Sequence, residues 1–110
     1  MIGKPAKRVV FADDKLEKAF DSLTEDDWLK KAIKRAILDL KENSACGRRI
    51  KKEQIPKEYI QKYGIDNLWW YPLPNGWRLL YSTIGQSEIE ILAVIIDYCD
   101  HKNYERKFNY

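Results

Sequence analysis

The spacing of apolar residues changes along the chain, from helical periods in the first half to strand-like runs in the second. Leu16, Ala19, Phe20 and Leu23 recur three and four residues apart, which predicts a short amphipathic helix behind an extended apolar run, Arg8 to Phe11. Leu29, Ala32, Ile33, Ala36, Ile37 and Leu40 form a second stripe, with Lys30, Lys31, Lys34 and Arg35 on the opposite side. Thr24 is placed to cap that second helix, and Glu25, Asp26 and Asp27 favour the positive end of its dipole. The helix is expected to stop near Asn43, with Gly47 just beyond. Pro56 can open a short helical turn that runs to Tyr63 and ends at Gly64.

From Leu68 onward the pattern is extended. Strands are expected over Leu68 to Leu73, Trp77 to Ile84 and Glu88 to Tyr98, joined by turns at Pro74-Asn75-Gly76 and Gly85-Gln86-Ser87. Ile91 to Ile96 has no polar face, so it should be a central strand covered on both sides. Pro72 marks its own strand as an edge or as bulged. Together these elements predict a single α+β domain over residues 1–110: two N-terminal helices packed on one face of a small, twisted, mainly antiparallel sheet.

Composition narrows the class. A chain that is 45% hydrophobic and 13% aromatic over 110 residues suits one core. No apolar run approaches membrane-spanning length, and MIGKPAKRVV lacks the apolar region of a secretory signal. Cys46 and Cys99 match no metal-ligand spacing and read most simply as free thiols of a reducing compartment, with a disulfide left open. With one histidine, no phosphate-binding glycine loop and no CxxC, HExxH or GxSxG motif, no metal and no cofactor is expected.

Charge adds an asymmetry that the net value of +3 conceals. Between Asp13 and Asp27 seven acids stand against two lysines, whereas between Lys30 and Lys62 eleven Lys and Arg stand against four acids. Such a distribution either offers a basic face to a polyanion or marks ordinary solvated helix faces. Arg48, Arg49, Lys51 and Lys52 put four cations into five residues, enough to track a nucleic-acid backbone, although a flexible solubilising loop has the same composition. Arg78 lies inside a strand, where a rigidly mounted guanidinium suits bidentate phosphate contact; an exposed Arg lying over an aromatic ring is the plainer alternative. Trp69, Trp70 and Trp77 can stack bases, but at least two are expected in the core, and Tyr71 and Tyr81 should pack with wet hydroxyls.

Three segments carry a resemblance. NLWWYPLPNGWRLLYS, the hydrophobic third strand and the closing H-x-x-Y-x-x-x-F of DHKNYERKFNY resemble the RelE/ParE toxin superfamily over Gly47 to Tyr110, and RelE-type ribosome-dependent mRNA interferases in particular. The resemblance implies a cytoplasmic toxin of a type II toxin–antitoxin system, an endoribonuclease that cuts mRNA on the ribosome and is blocked by a cognate antitoxin protein. It implies that Arg78 contacts the scissile phosphate, that His101 and Tyr104 occupy the proton-transfer positions, and that Lys51 and Lys52 are basic residues near the site. Arg48, Arg49 and Arg106 join these as RNA-binding candidates, and Phe108 is expected to anchor the tail. An imidazole ordinarily titrates at about 6.5 and a phenol at about 10, so histidine suits acid or base work near neutral pH while tyrosine suits donation or stacking. Asp97 and Asp100 are the candidates to orient His101. The alternatives are a ParE-like toxin without nuclease chemistry, or a relative that only binds RNA or protein.

Overall fold

The computed structural model describes residues 5–85 and 91–108. The longest strand, Ile91–Cys99, organises the rest. In chain order the elements are β1 (Ala6–Phe11), α1 (Asp14–Asp21), α2 (Trp28–Glu42), β2 (Arg48–Arg49), α3 (Lys57–Tyr63), β3 (Trp69–Pro72), β4 (Arg78–Gly85), β5 (Ile91–Cys99) and α4 (His101–Phe108). The five strands form one sheet in the order β1-β5-β4-β3-β2. β3, β4 and β5 make the expected antiparallel meander, and β1 runs parallel to β5 on its far side. Ile91 to Ile96 is therefore central, as its uniform apolarity predicts. The Gly85-Gln86-Ser87 turn and the start of the third strand at Glu88 lie outside the described residues.

Helices cover both faces of the sheet, not one. Phe20 of α1 and Leu29, Ile33, Ala36 and Leu40 of α2 share a core with Leu79, Tyr81 and Ile95. On the other face Tyr59 of α3 and Tyr104 of α4 close over Ile50, Leu68, Leu80, Ile96 and Cys99. Each fully buried Leu or Ile in these layers contributes about 1.5–3 kcal/mol. A β-bulge serves both: Leu80 pairs with Asp97 but Tyr81 pairs with Ile95, so Ile96 is the extra residue. Ile95 thus faces the α1/α2 layer while Ile96 and Asp97 face α3 and α4.

Several local expectations change. Asp27, not Thr24, caps α2 by accepting the Leu29 N–H at 2.9 Å. Glu25 instead pairs with Lys30 at 2.8 Å and Lys34 at 2.6 Å. Lys30 is no solvent-side residue: it is 7% exposed and donates to the Leu23 carbonyl at 3.0 Å, tying α2 to the end of α1. Tyr81 has no wet hydroxyl, because that group donates to the Ser44 carbonyl and accepts from the Gly47 N–H, both at 2.9 Å. The tail beyond β5 is a helix, α4, capped by Asp100, whose carboxylate accepts the Asn103 N–H at 2.9 Å. Pro72 sits past the two-residue pairing of β2 with β3, where β3 itself is an edge. Cys46 and Cys99 are both free, the first exposed and the second buried.

Candidate functional site

The hairpin between β3 and β4 turns through Asn75 and Gly76, both at positive φ (61° and 77°), the conformation that an Asn-Gly pair adopts most readily. The turn sets Arg78 at the start of β4, opposite Cys99, the last residue of β5. Two residues later α4 begins at His101, and a Cβ placed on Gly76 would lie 3.5 Å from the Cβ of His101. Arg78 and the first turn of α4 therefore stand at one end of the sheet, and both belong to the face covered by α3 and α4.

Strand register then builds a stack on that face. Trp70 pairs with Arg48 on one side and Leu80 on the other, placing Arg78 diagonal to the indole. The Arg78 guanidinium lies 4.0 Å from the centre of the Trp70 ring and 4.2 Å from that of Tyr104. Arg48 approaches the same indole at 5.5 Å. The plain expectation for a strand arginine, a stem over one ring, is thus exceeded: two rings hold Arg78. A guanidinium resting on aromatic rings can still make directed hydrogen bonds through its N–H edge. Among the described residues no carboxylate forms an ion pair with Arg78 or Arg48.

The remaining sequence candidates divide. Lys51 and Lys52 are exposed where the chain leaves β2 and enters a 3₁₀ turn over Lys52–Gln54, and that segment is anchored, since Ile50 and Ile55 on either side are 7% and 5% exposed. Arg49 points to the opposite face, over Trp69 at 5.4 Å. Arg106 is exposed on α4, two residues from Tyr104 and so about 200° around the helix from it, away from the stack. Tyr104 is 2% exposed and offers its ring to Arg78 and to Phe108, which stacks on it at 4.3 Å. His101 is exposed and contacts Glu105 through Nε2.

Neither predicted orienter of His101 reaches it. Asp97 accepts the Tyr59 hydroxyl at 2.8 Å and pairs with Lys107 at 3.3 Å, while Asp100 caps α4. Burial and the adjacent Asp97 charge raise the Tyr59 phenol, keeping it a donor. Burial first, and then Asp97, push the Cys99 thiol beside Arg78 up to about 12, which removes it as a nucleophile near neutral pH.

The basic half of the chain also divides into spent and unspent charge. Lys30 and Lys34 are taken by Glu25, Arg35 by Asp39 and Lys62 by Asp13. Arg48, Lys51, Lys52 and Arg78 make no ion pair among the described residues and are gathered on or beside the α3/α4 face. Sequence reasoning missed Trp70 as the platform of this group and Glu105 as the partner of His101. The i, i+4 spacing of His101 and Glu105 signals the second once α4 is known; the first needed the register. Among the described residues no helix is long and apolar enough to cross a membrane, and no cluster of His, Cys, Asp or Glu could hold a metal ion. No family model, curated protein or solved structure matches this chain.

Proposed function

We propose that the chain is an RNA-cleaving toxin of the RelE type: a cytoplasmic, ribosome-dependent mRNA endoribonuclease held in check by an antitoxin protein. The observation that carries this reading is the Arg78 guanidinium held between Trp70 and Tyr104, without a carboxylate partner among the described residues, at the same end and on the same face as His101. A cation without a counter-ion among the described residues, lying against two rings at the end of the sheet where an imidazole also stands, suits a substrate that brings its own negative charge and a proton to be moved. An RNA phosphodiester with its neighbouring 2′-hydroxyl brings both.

Cleavage needs the 2′-oxygen to bond to phosphorus while the bond from phosphorus to the 5′-oxygen breaks. The 2′-hydroxyl loses a proton and the leaving 5′-oxygen gains one, giving a 2′,3′-cyclic phosphate and a 5′-hydroxyl. In this reading Arg78 meets the charge that grows on the phosphate oxygens, and His101 exchanges the proton. Tyr104 serves as the platform beneath Arg78, its burial suiting that role better than contact with RNA. Arg48, Lys51 and Lys52 extend the cationic surface along the backbone. The layering of α1 and α2 against an antiparallel meander supports the RelE-like fold that the sequence resemblance implies.

The burial of Tyr104 also favours a second reading, because it leaves one exposed proton-transfer group instead of two. The chain would then bind RNA or a protein through the same cations and cut nothing. Induced expression without a partner decides between the two. The nuclease reading expects growth arrest that is relieved when Arg78→Ala and His101→Ala are combined. Arrest of equal strength in the double variant would remove both residues from the mechanism.

A further inference from the structure

His101 is the only histidine of the chain, and among the described residues one carboxylate, that of Glu105, contacts it. With Asp97 engaged by Tyr59 and Lys107, and Asp100 by the first turn of α4, Glu105 is the acid that meets the imidazole, one turn further along the same helix. We infer that Glu105 is a positioning residue that engages Nε2 of His101 and leaves Nδ1 as the nitrogen through which His101 exchanges a proton with RNA. The inference rests on the nuclease reading above and adds to it which ring nitrogen works and what holds the other.

The chemistry follows from the two nitrogens of a neutral imidazole, one a donor and the other an acceptor, with the tautomer set by the hydrogen bond that one of them makes. Nε2 contacts the Glu105 carboxylate, and a proton held on that nitrogen toward Glu105 leaves the Nδ1 lone pair free. The ring's base is fixed independently. The Tyr104 N–H donates to the Asp100 carbonyl at 2.9 Å at the start of α4, and a Cβ placed on Gly76 of the hairpin would stand 3.5 Å from the His101 Cβ. Tyr104, one turn from His101 on the same helix, lies against the Arg78 guanidinium of β4, so α4 carries both the imidazole and one of the rings that Arg78 touches. Acting as base, Nδ1 takes the 2′-hydroxyl proton as the O2′–P bond forms, and releases it to O5′ as the P–O5′ bond breaks. Glu105 remains a carboxylate throughout and faces the ring while it is positive. The pair is solvent-exposed, and an exposed i, i+4 pair adds little to stability, so its loss should be read in orientation and rate.

A double-mutant cycle on the full chain, cutting mRNA on programmed ribosomes, tests this. Glu105→Ala should slow single-turnover cleavage about tenfold when His101 is present and have no effect in a His101→Ala background. Glu105→Gln, whose amide oxygen still accepts from Nε2–H, should retain more activity than Glu105→Ala, and the unfolding midpoint should not move. Equal losses in both backgrounds would mean that Glu105 supports only the helix, and would overturn the inference. A second readout needs no activity: with one histidine, the ring nitrogens give one pair of ¹⁵N signals. In the neutral ring Nε2 should carry the proton, and Glu105→Ala should move its signal. A protonated Nδ1, or no change on Glu105→Ala, would overturn the inference. A chain that cuts no RNA overturns both readings, whereas cleavage that falls on His101→Ala but not on Glu105→Ala overturns this one alone.

Discussion

The Arg78 guanidinium lies 4.0 Å from the centre of the Trp70 ring and 4.2 Å from that of Tyr104, contacts that a planar cation makes and a lysine ammonium does not reproduce. Arg78→Lys keeps the charge and loses the plane. It should reduce RNA cleavage by about 10²-fold, the scale of losing one transition-state donor, with little change in the unfolding midpoint. Activity near that of the unmutated chain would mean that charge alone suffices. Gly47 is the residue on which β2 depends. A Cβ there would stand 2.6 Å from the Trp70 carbonyl oxygen and 2.8 Å from the Tyr81 hydroxyl oxygen. Tyr81 is fully buried and stacked on Trp69, so it has nowhere to move. Gly47→Ala should therefore cost about 1–3 kcal/mol, measured by denaturant unfolding. Arg78 was legible as a candidate from its place in a strand. Its sandwich was not, since it depends on residues brought together from three separate segments.

Among the elements, those with strong periodicity were the ones visible in advance. α2 follows from its apolar stripe, and α3 from Pro56 and Gly64, the latter in the left-handed conformation that ends the helix (φ 64°). β2 has two residues and no periodicity to read; it exists because Trp69 and Trp70 offer it a partner. α4 escaped notice because its apolar content is confined to Tyr104 and Phe108, although the i, i+4 spacing of that pair and the Asp100 cap are its sequence signals. The junctions between helices carry a pH dependence. Hydrogen bonds from Lys30 and Lys34 lower Glu25 from 4.5 to about 2, and those from Lys62 and the Lys15 N–H lower Asp13 from 3.8 to about 2. Both carboxyls bind protons more weakly when folded, so their contribution is complete above the unfolded values and is lost as pH falls through the folded ones. The unfolding midpoint should thus decline from about pH 4.5 toward about pH 2, and Glu25→Gln combined with Asp13→Asn should flatten that decline. An acid limb unchanged in the double variant would show that these pairs do not couple folding to pH.

Across the whole molecule, the α+β class and the antiparallel meander were readable from the second half of the chain. The parallel pairing of β1 with β5 was not, because pairing across the length of the chain has no local signature. Nor was the second helical layer, since α3 reads as a turn and α4 as a tail until both cover the sheet. That layer makes the site: it brings the buried ring of Tyr104 against Arg78 and sets His101 beside the β3–β4 hairpin. Acids of the first half pair with Lys30, Lys34 and Lys62, while Arg48, Lys51, Lys52 and Arg78 keep no internal counter-ion among the described residues. Mapping mRNA 5′ ends across the transcriptome after induced expression, with the Arg78→Ala/His101→Ala variant alongside, decides whether this surface is a nuclease. New 5′-hydroxyl ends should accumulate within translated regions and vanish in the double variant. Intact messages under the unmutated chain, or the same ends under the double variant, would contradict the assignment of this site.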